Sequence, residues 1–203
     1  MTQGARRWMI ALLGCATAVA LCMRYVDRPI AEWVEHRIYG TGATLWAVRI
    51  LDPLPWVLAA TLPVVVLVAL RARAGQPIAP LLGAVVRGSL AALAALLIAE
   101  SLKQVVGRSA PYPEYLASGI YRVRPFHAGV FPSATTAATW AAGFGFRAGP
   151  RWLRVLTVVV LAAVPLAILV VNGHWMGDLL AGAWLGGFIG WSVARRGRGE
   201  PGA

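Results

Sequence analysis

The sequence predicts an all-α fold, a six-span integral membrane helical bundle with an amphipathic interfacial helix after the first span. Three observations predict it. Apolar residues fill 59% of 203 positions and charged residues only 13%, with a mean hydropathy of +0.67, outside the range of a water-soluble domain. The apolar residues fall in runs close to the ~20 residues that a helix needs to cross a bilayer. The basic residues gather at the ends of those runs. One bundle accounts for the whole length, so residues 1–203 are read as a single membrane domain.

A net charge of +11 raises nucleic acid as a partner. The basic residues, however, punctuate apolar runs instead of forming one polar segment with interleaved aromatics. Positive-inside anchoring and anionic headgroups account for them, so membrane lipids are the expected partners and nucleic acid is not. Lys103 is the only lysine among 19 basic residues, a composition typical of a GC-rich bacterial genome and hence of a bacterial cytoplasmic (inner) membrane. Cys15 and Cys22, seven apart in one apolar run, sit about 10 Å apart along a helix, too far for a disulfide. With no nearby His or acid they form no metal site, and neither a metal nor a cofactor is expected.

Arg6-Arg7 followed by Trp8 to Met23 has the ingredients of a signal peptide, but the run continues past Cys15, so it is read as the first span. Arg24 to Gly42 mixes charges with Ile30, Trp33, Val34 and Ile38 at helical spacing, the pattern of an interfacial helix. Pro53 to Leu70 is the second span, closed by Arg71 and Arg73, and Leu81 to Leu102 is the third. Gly107 to Val130 is a long basic and aromatic loop. A short fourth span runs from Phe131 to Phe146 and a fifth from Val155 to Val171, with Pro165 as a kink. Leu179 to Trp191 completes six, before Arg195, Arg196 and Arg198. Charge bias places both termini in the cytoplasm. Lys103, Arg108, Ser133, His174 and Asp178 then share the outer, periplasmic face.

Between the fifth and sixth spans lies Val171-Asn-Gly-His174-Trp-Met-Gly-Asp178. A histidine and an aspartate four residues apart share one helical face, so the carboxylate can hold the imidazole in one tautomer. Taken alone, the pair reads first as an interfacial histidine beside a capping aspartate. Cations after the third span and a Pro-Ser turn opening the fourth add an anion site, for which phosphate is the natural guest. The histidine could then attack phosphorus, with the aspartate orienting the ring.

These residues resemble the three motifs of the type 2 phosphatidic acid phosphatase and vanadium haloperoxidase superfamily, in order. The first, Lys-x6-Arg-Pro, reads Lys103-Gln-Val-Val-Gly-Arg108-Ser-Ala110-Pro111. The second, Pro-Ser-Gly-His, reads Pro132-Ser133-Ala134-Thr135. The third, Ser-Arg-x5-His-x3-Asp, reads Ala167-Ile168 with His174 and Asp178. The resemblance implies a six-helix membrane core over residues 50–195, with His174 as nucleophile, Asp178 as its partner and Lys103 and Ser133 on phosphate. Arg108, beside the position the pattern names, is a further candidate phosphate ligand.

The departures fall at Ala110 and Ile168, where the pattern has arginines, and at Thr135, where it has the acid for the leaving group. Their loss favours a substrate whose leaving group needs little protonation, such as a lipid diphosphate, or help from His127, Arg122 and Arg124 of the outer loop. The expected function is a lipid phosphate phosphatase or phosphotransferase acting on a lipid mono- or diphosphate. The alternative is a non-catalytic superfamily member serving in lipid binding, transport or assembly. Vanadate chemistry is disfavoured, because it relies on the missing arginines.

Overall fold

Among the described residues, polar punctuation divides the chain into nine α-helices. The computed structural model describes residues 3–121, 129–147 and 149–196, and all regular structure among them is helical. Helix α1 (Gln3–Leu21) passes through a wide π-helical turn, Cys22–Val26, directly into α2 (Asp27–Arg37). The first proline, Pro29, lies in the opening turn of α2, where a missing N–H is tolerated. Helix α3 (Gly42–Leu51) begins at Thr41, whose hydroxyl accepts from the Ala43 N–H. After Asp52-Pro53 comes α4 (Leu54–Arg73), then α5 (Pro80–Val106) and α6 (Pro111–Ser118), the last stopped by Gly119 in the left-handed region at φ 67°. Helices α7 (Ala134–Phe146), α8 (Arg151–Val170) and α9 (Met176–Arg196) complete the described residues.

Among the described residues, four stretches are long and apolar enough to cross a membrane: Arg6–Arg37, Gly42–Arg73, Pro80–Val106 and Arg151–Val170. The expectation of six spans is therefore met only in part. Helix α7 has 13 residues, about 20 Å at 1.5 Å per residue, against a hydrocarbon core of about 30 Å. Helix α9 has the length, 21 residues, but dilutes its apolar content with Asp178 and glycines.

The segment expected to lie in the headgroup layer differs more. It continues α1 and turns Asp27, Ala31 and Val34 inward, all buried, while Trp33 stays 58% exposed. The stripe assumed from Ile30, Trp33 and Val34 is rotated because the inward face belongs to an acid with a buried partner. Helix α6, inside the long loop, was likewise not expected.

Small residues set the centre. Helices α5, α7 and α9 pack on one another through Ala91, Ala95, Ala99, Ala134, Ala137, Ala141 and Ile189. On α9, Gly182, Gly186 and Gly190 recur every fourth residue. A Cβ added to them would lie 2.5 Å from Ser133 O, 2.1 Å from Ala137 O and 2.5 Å from Ala141 O. This is the small-residue packing that lets membrane helices approach closely. One consequence is local: the Ser133 N–H reaches the Asp178 carbonyl oxygen at 3.1 Å, so the starts of α7 and α9 are joined. Around this trio, α8 packs on α7 and α3, α4 on α5 and α1 on α9.

Candidate active site

His174 sits in the turn between α8 and α9. The turn forms because Asn172 adopts a positive φ of 53°, which Asn tolerates better than most residues. The Asn172 side-chain amide donates to the Tyr121 hydroxyl at 2.7 Å, and Tyr121 in turn donates to Glu35 of α2 at 3.3 Å. Burial and the adjacent Glu35 carboxylate hold the Tyr121 hydroxyl well above its ordinary pKa, so it remains a neutral donor. Trp175 is buried and its indole N–H donates to Ser109 O at 2.7 Å. The loop after α5 is thereby tied to the loop before α9.

Asp178 is fully buried at the start of α9. Its Oδ2 accepts from the Trp175 N–H at 3.0 Å and faces His174 Nδ1 at 3.2 Å. A carboxylate accepts only, so Nδ1 is the donor in this contact, and in the neutral ring Nε2 then keeps its lone pair. The imidazole is thus set in the tautomer a nucleophile needs.

Arg108 is placed where the sequence does not suggest. Its guanidinium is buried, with Nε donating to Asp178 Oδ1 at 2.7 Å and Nη1 pairing with Asp27 Oδ2 at 2.7 Å. The second contact is too bent for hydrogen-bond geometry and acts as an ion pair. Phe131 and Trp175 offer their rings to the guanidinium at 5.7 and 5.6 Å. Asp27 also accepts from the Gly177 N–H at 2.9 Å, so it occupies the N-terminus of α9 that an anion would otherwise use. A Cβ at Gly177 would stand 3.0 Å from Arg108 Nη2 and 3.3 Å from Asp27 Oδ2, so a larger residue would press on both members of the ion pair. Asp27 is the site residue that sequence reasoning missed. Its signal, an acid on one helical face with Ala31 and Val34, is legible only once Arg108 is known to face it.

The remaining expected residues divide. Ser133 is buried as the cap of α7, accepting from the Thr136 N–H at 3.4 Å and donating to the Thr136 hydroxyl at 3.0 Å. Lys103 pairs with Glu100 at 2.8 Å on the same helix. Thr135 lies with His174 on the wall of one cavity. Arg122, Arg124 and His127 fall outside the described residues. Ile168, at a family arginine position, is packed with Val164 and Leu179, so hydrocarbon fills the place a guanidinium would take.

The cavity is a slot of about 770 Å³ between α4, α5, α7 and α8, with His174 and Thr135 at one end and Phe146 and Leu153 in its lining further along α7 and α8. Thr135 to Phe146 spans about 16 Å along the helix axis. The hydroxyls of Thr61, Ser89, Thr139 and Thr157 donate back to carbonyls of their own helices, leaving hydrocarbon facing the space.

Fold and site together define an all-helical membrane protein with a carboxylate-oriented histidine on the wall of an apolar slot. Comparison with protein families finds the PAP2 superfamily over residues 84–199, more than half of the chain, and the chain belongs to that superfamily. No curated protein and no solved structure matches it.

Proposed function

We propose that the protein is a membrane phosphatase or phosphotransferase that takes phosphate from a lipid mono- or diphosphate through His174. The reading rests on one observation, the His174–Asp178 pair with His174 on the wall of an apolar slot. The headgroup would lie against His174 with its chain along α7.

His174 Nε2 attacks the terminal phosphorus, the bond from it to the leaving oxygen breaks, and a phosphohistidine forms; that oxygen is the lipid oxygen of a monoester, or the bridging oxygen of a diphosphate, which leaves as the lipid monophosphate. The ring becomes cationic, and Asp178 offsets that charge through the Nδ1–H contact. Water then attacks phosphorus, the N–P bond breaks and inorganic phosphate leaves with His174 restored. A phosphotransferase would use a second hydroxyl in place of water. Thr135 supplies no acid comparable to a histidine, which favours a diphosphate, whose leaving phosphate needs little protonation.

Lys103 and Ser133 with the start of α7 are the proposed phosphate ligands, and Arg122, Arg124 and His127 auxiliary groups from the loop. Arg108 is assigned to holding Asp178, since both of its carboxylate partners are buried with it. The proposed topology adds α7 and α9 to the four apolar stretches, giving six spans in a bacterial cytoplasmic membrane with the site on the outer side.

A second reading keeps the slot and drops turnover, as a lipid-binding or assembly subunit; the apolar surroundings of Ile168 favour it. The two are separated by purified protein and a panel of lipid mono- and diphosphates, with His174→Ala as control. Phosphate release that disappears in the variant supports the enzyme. Release that persists removes His174 as nucleophile, and chain-dependent lipid binding without release supports the second reading.

A further inference from the structure

We propose that Asp27, outside the matched family region, is a positioning residue that neutralises Arg108 so that Asp178 keeps its negative charge for His174. The inference deepens the proposed histidine chemistry and rests on that reading for its effect on turnover.

Three buried acid and base side chains lie in one line of contact: Asp27 to Arg108 at 2.7 Å and Arg108 to Asp178 at 2.7 Å, with His174 3.2 Å beyond. Asp27 and Asp178 are 1% and 0% exposed and Arg108 is 1% exposed. In so dry a place the sum of charges matters more than any single pair. Arg108 and Asp178 alone would sum to zero, and the guanidinium would hold the carboxylate's charge away from the imidazole. Adding Asp27 brings the cluster to a single negative charge, the complement of one imidazolium. Asp27 therefore offsets Arg108 at the moment when His174 becomes cationic by attacking an electrophile.

A purely structural role fits the arrangement less well. Burying an ion triad is seldom the most stable way to join helices, and apolar side chains of similar volume do so at lower cost. Gly177 holds the space open at the crossing, where any side chain would meet Arg108 and Asp27. The three charges also come from three separate segments, α2, the loop after α5 and the start of α9, and converge on the one carboxylate that touches His174.

The test uses the full chain and a probe that needs no substrate. Diethyl pyrocarbonate is attacked by the neutral imidazole nitrogen; a bond forms from that nitrogen to a carbonyl carbon, an ethyl carbonate anion leaves, and the transient imidazolium gives up its Nδ1 proton. The rate of labelling at His174 is read by mass spectrometry against exposed His36 as internal reference. Asp27→Asn should slow His174 labelling about tenfold, the lower end of what a contact between charged groups is worth. Asp27→Asn combined with Arg108→Gln again leaves one negative charge, on Asp178, and should return the rate to within about threefold of wild type.

Misfolding would expose His174 and speed labelling, so slower labelling cannot come from a failure to fold. Wild-type labelling in Asp27→Asn, or a double variant slower than the single one, overturns the proposal. If His174-dependent phosphate release is found, kcat should fall with the labelling rate while KM stays within about twofold. If none is found, the enzymatic reading fails and the labelling result still decides the role of Asp27.

Discussion

Gly186→Ala tests the packing that brings the two halves of the site together. The new methyl would lie 2.1 Å from Ala137 O, 2.8 Å from its carbonyl carbon and 3.0 Å from its Cα. All three are backbone atoms of α7 and cannot rotate aside, so the helices must separate by about 1 Å or more to reach ordinary contact. Overpacking of this kind costs typically 1–3 kcal/mol, with the rigid neighbour placing it at the upper end, while replacing a helical glycine by alanine returns up to about 1 kcal/mol. The net expectation is a loss of about 2 kcal/mol, or roughly 4–8 °C in Tm for a chain of this length. Gly187→Ala is the matched control. There the methyl would meet only the Phe144 ring at 3.5 Å, so the propensity gain should remain and stability hold or rise. Both are measured by thermal unfolding in one detergent. Equal Tm values for the two variants would refute the argument that close α7–α9 approach depends on Gly186.

Three further outcomes are expected. Thr135→His puts an acid on the cavity wall beside His174 and should raise turnover of a lipid monoester relative to the diphosphate by up to about 100-fold; an unchanged ratio would mean that protonation of the leaving group is not limiting. Ala142→Phe fills the slot midway along α7 and should raise KM about tenfold for a long-chain lipid phosphate, with little change for a short, water-soluble ester; equal effects on both would remove the slot as the chain site. Tyr121→Phe should cost about 1 kcal/mol and alter the pH dependence of unfolding. Because the folded state raises the Tyr121 pKa, its contribution is complete below the unfolded value near 10 and is lost as pH rises toward the folded one. The wild-type minus variant difference should therefore shrink above about pH 10, and a difference that grew there would contradict the burial of this hydroxyl.

Hydropathy and charge determined the all-helical class, the apolar stretches and, through Lys103, Ser133, His174 and Asp178, the family resemblance. Those features are local: a span is a run of side chains that lipid can solvate, and a four-residue spacing fixes which groups share a helical face. The His174–Asp178 contact was legible for that reason. Tertiary structure alone decided the rest. Arg108 stood beside the phosphate motif in sequence and turned instead toward two buried carboxylates. Asp27 looked like one charge among several in the headgroup layer, because nothing nearby in the chain marks its partner 81 positions away. Buried charges choose partners across the fold, where desolvation makes any unpaired arrangement costly. That choice, and the approach of α9 to α7 at its glycines, set the surroundings in which His174 acts.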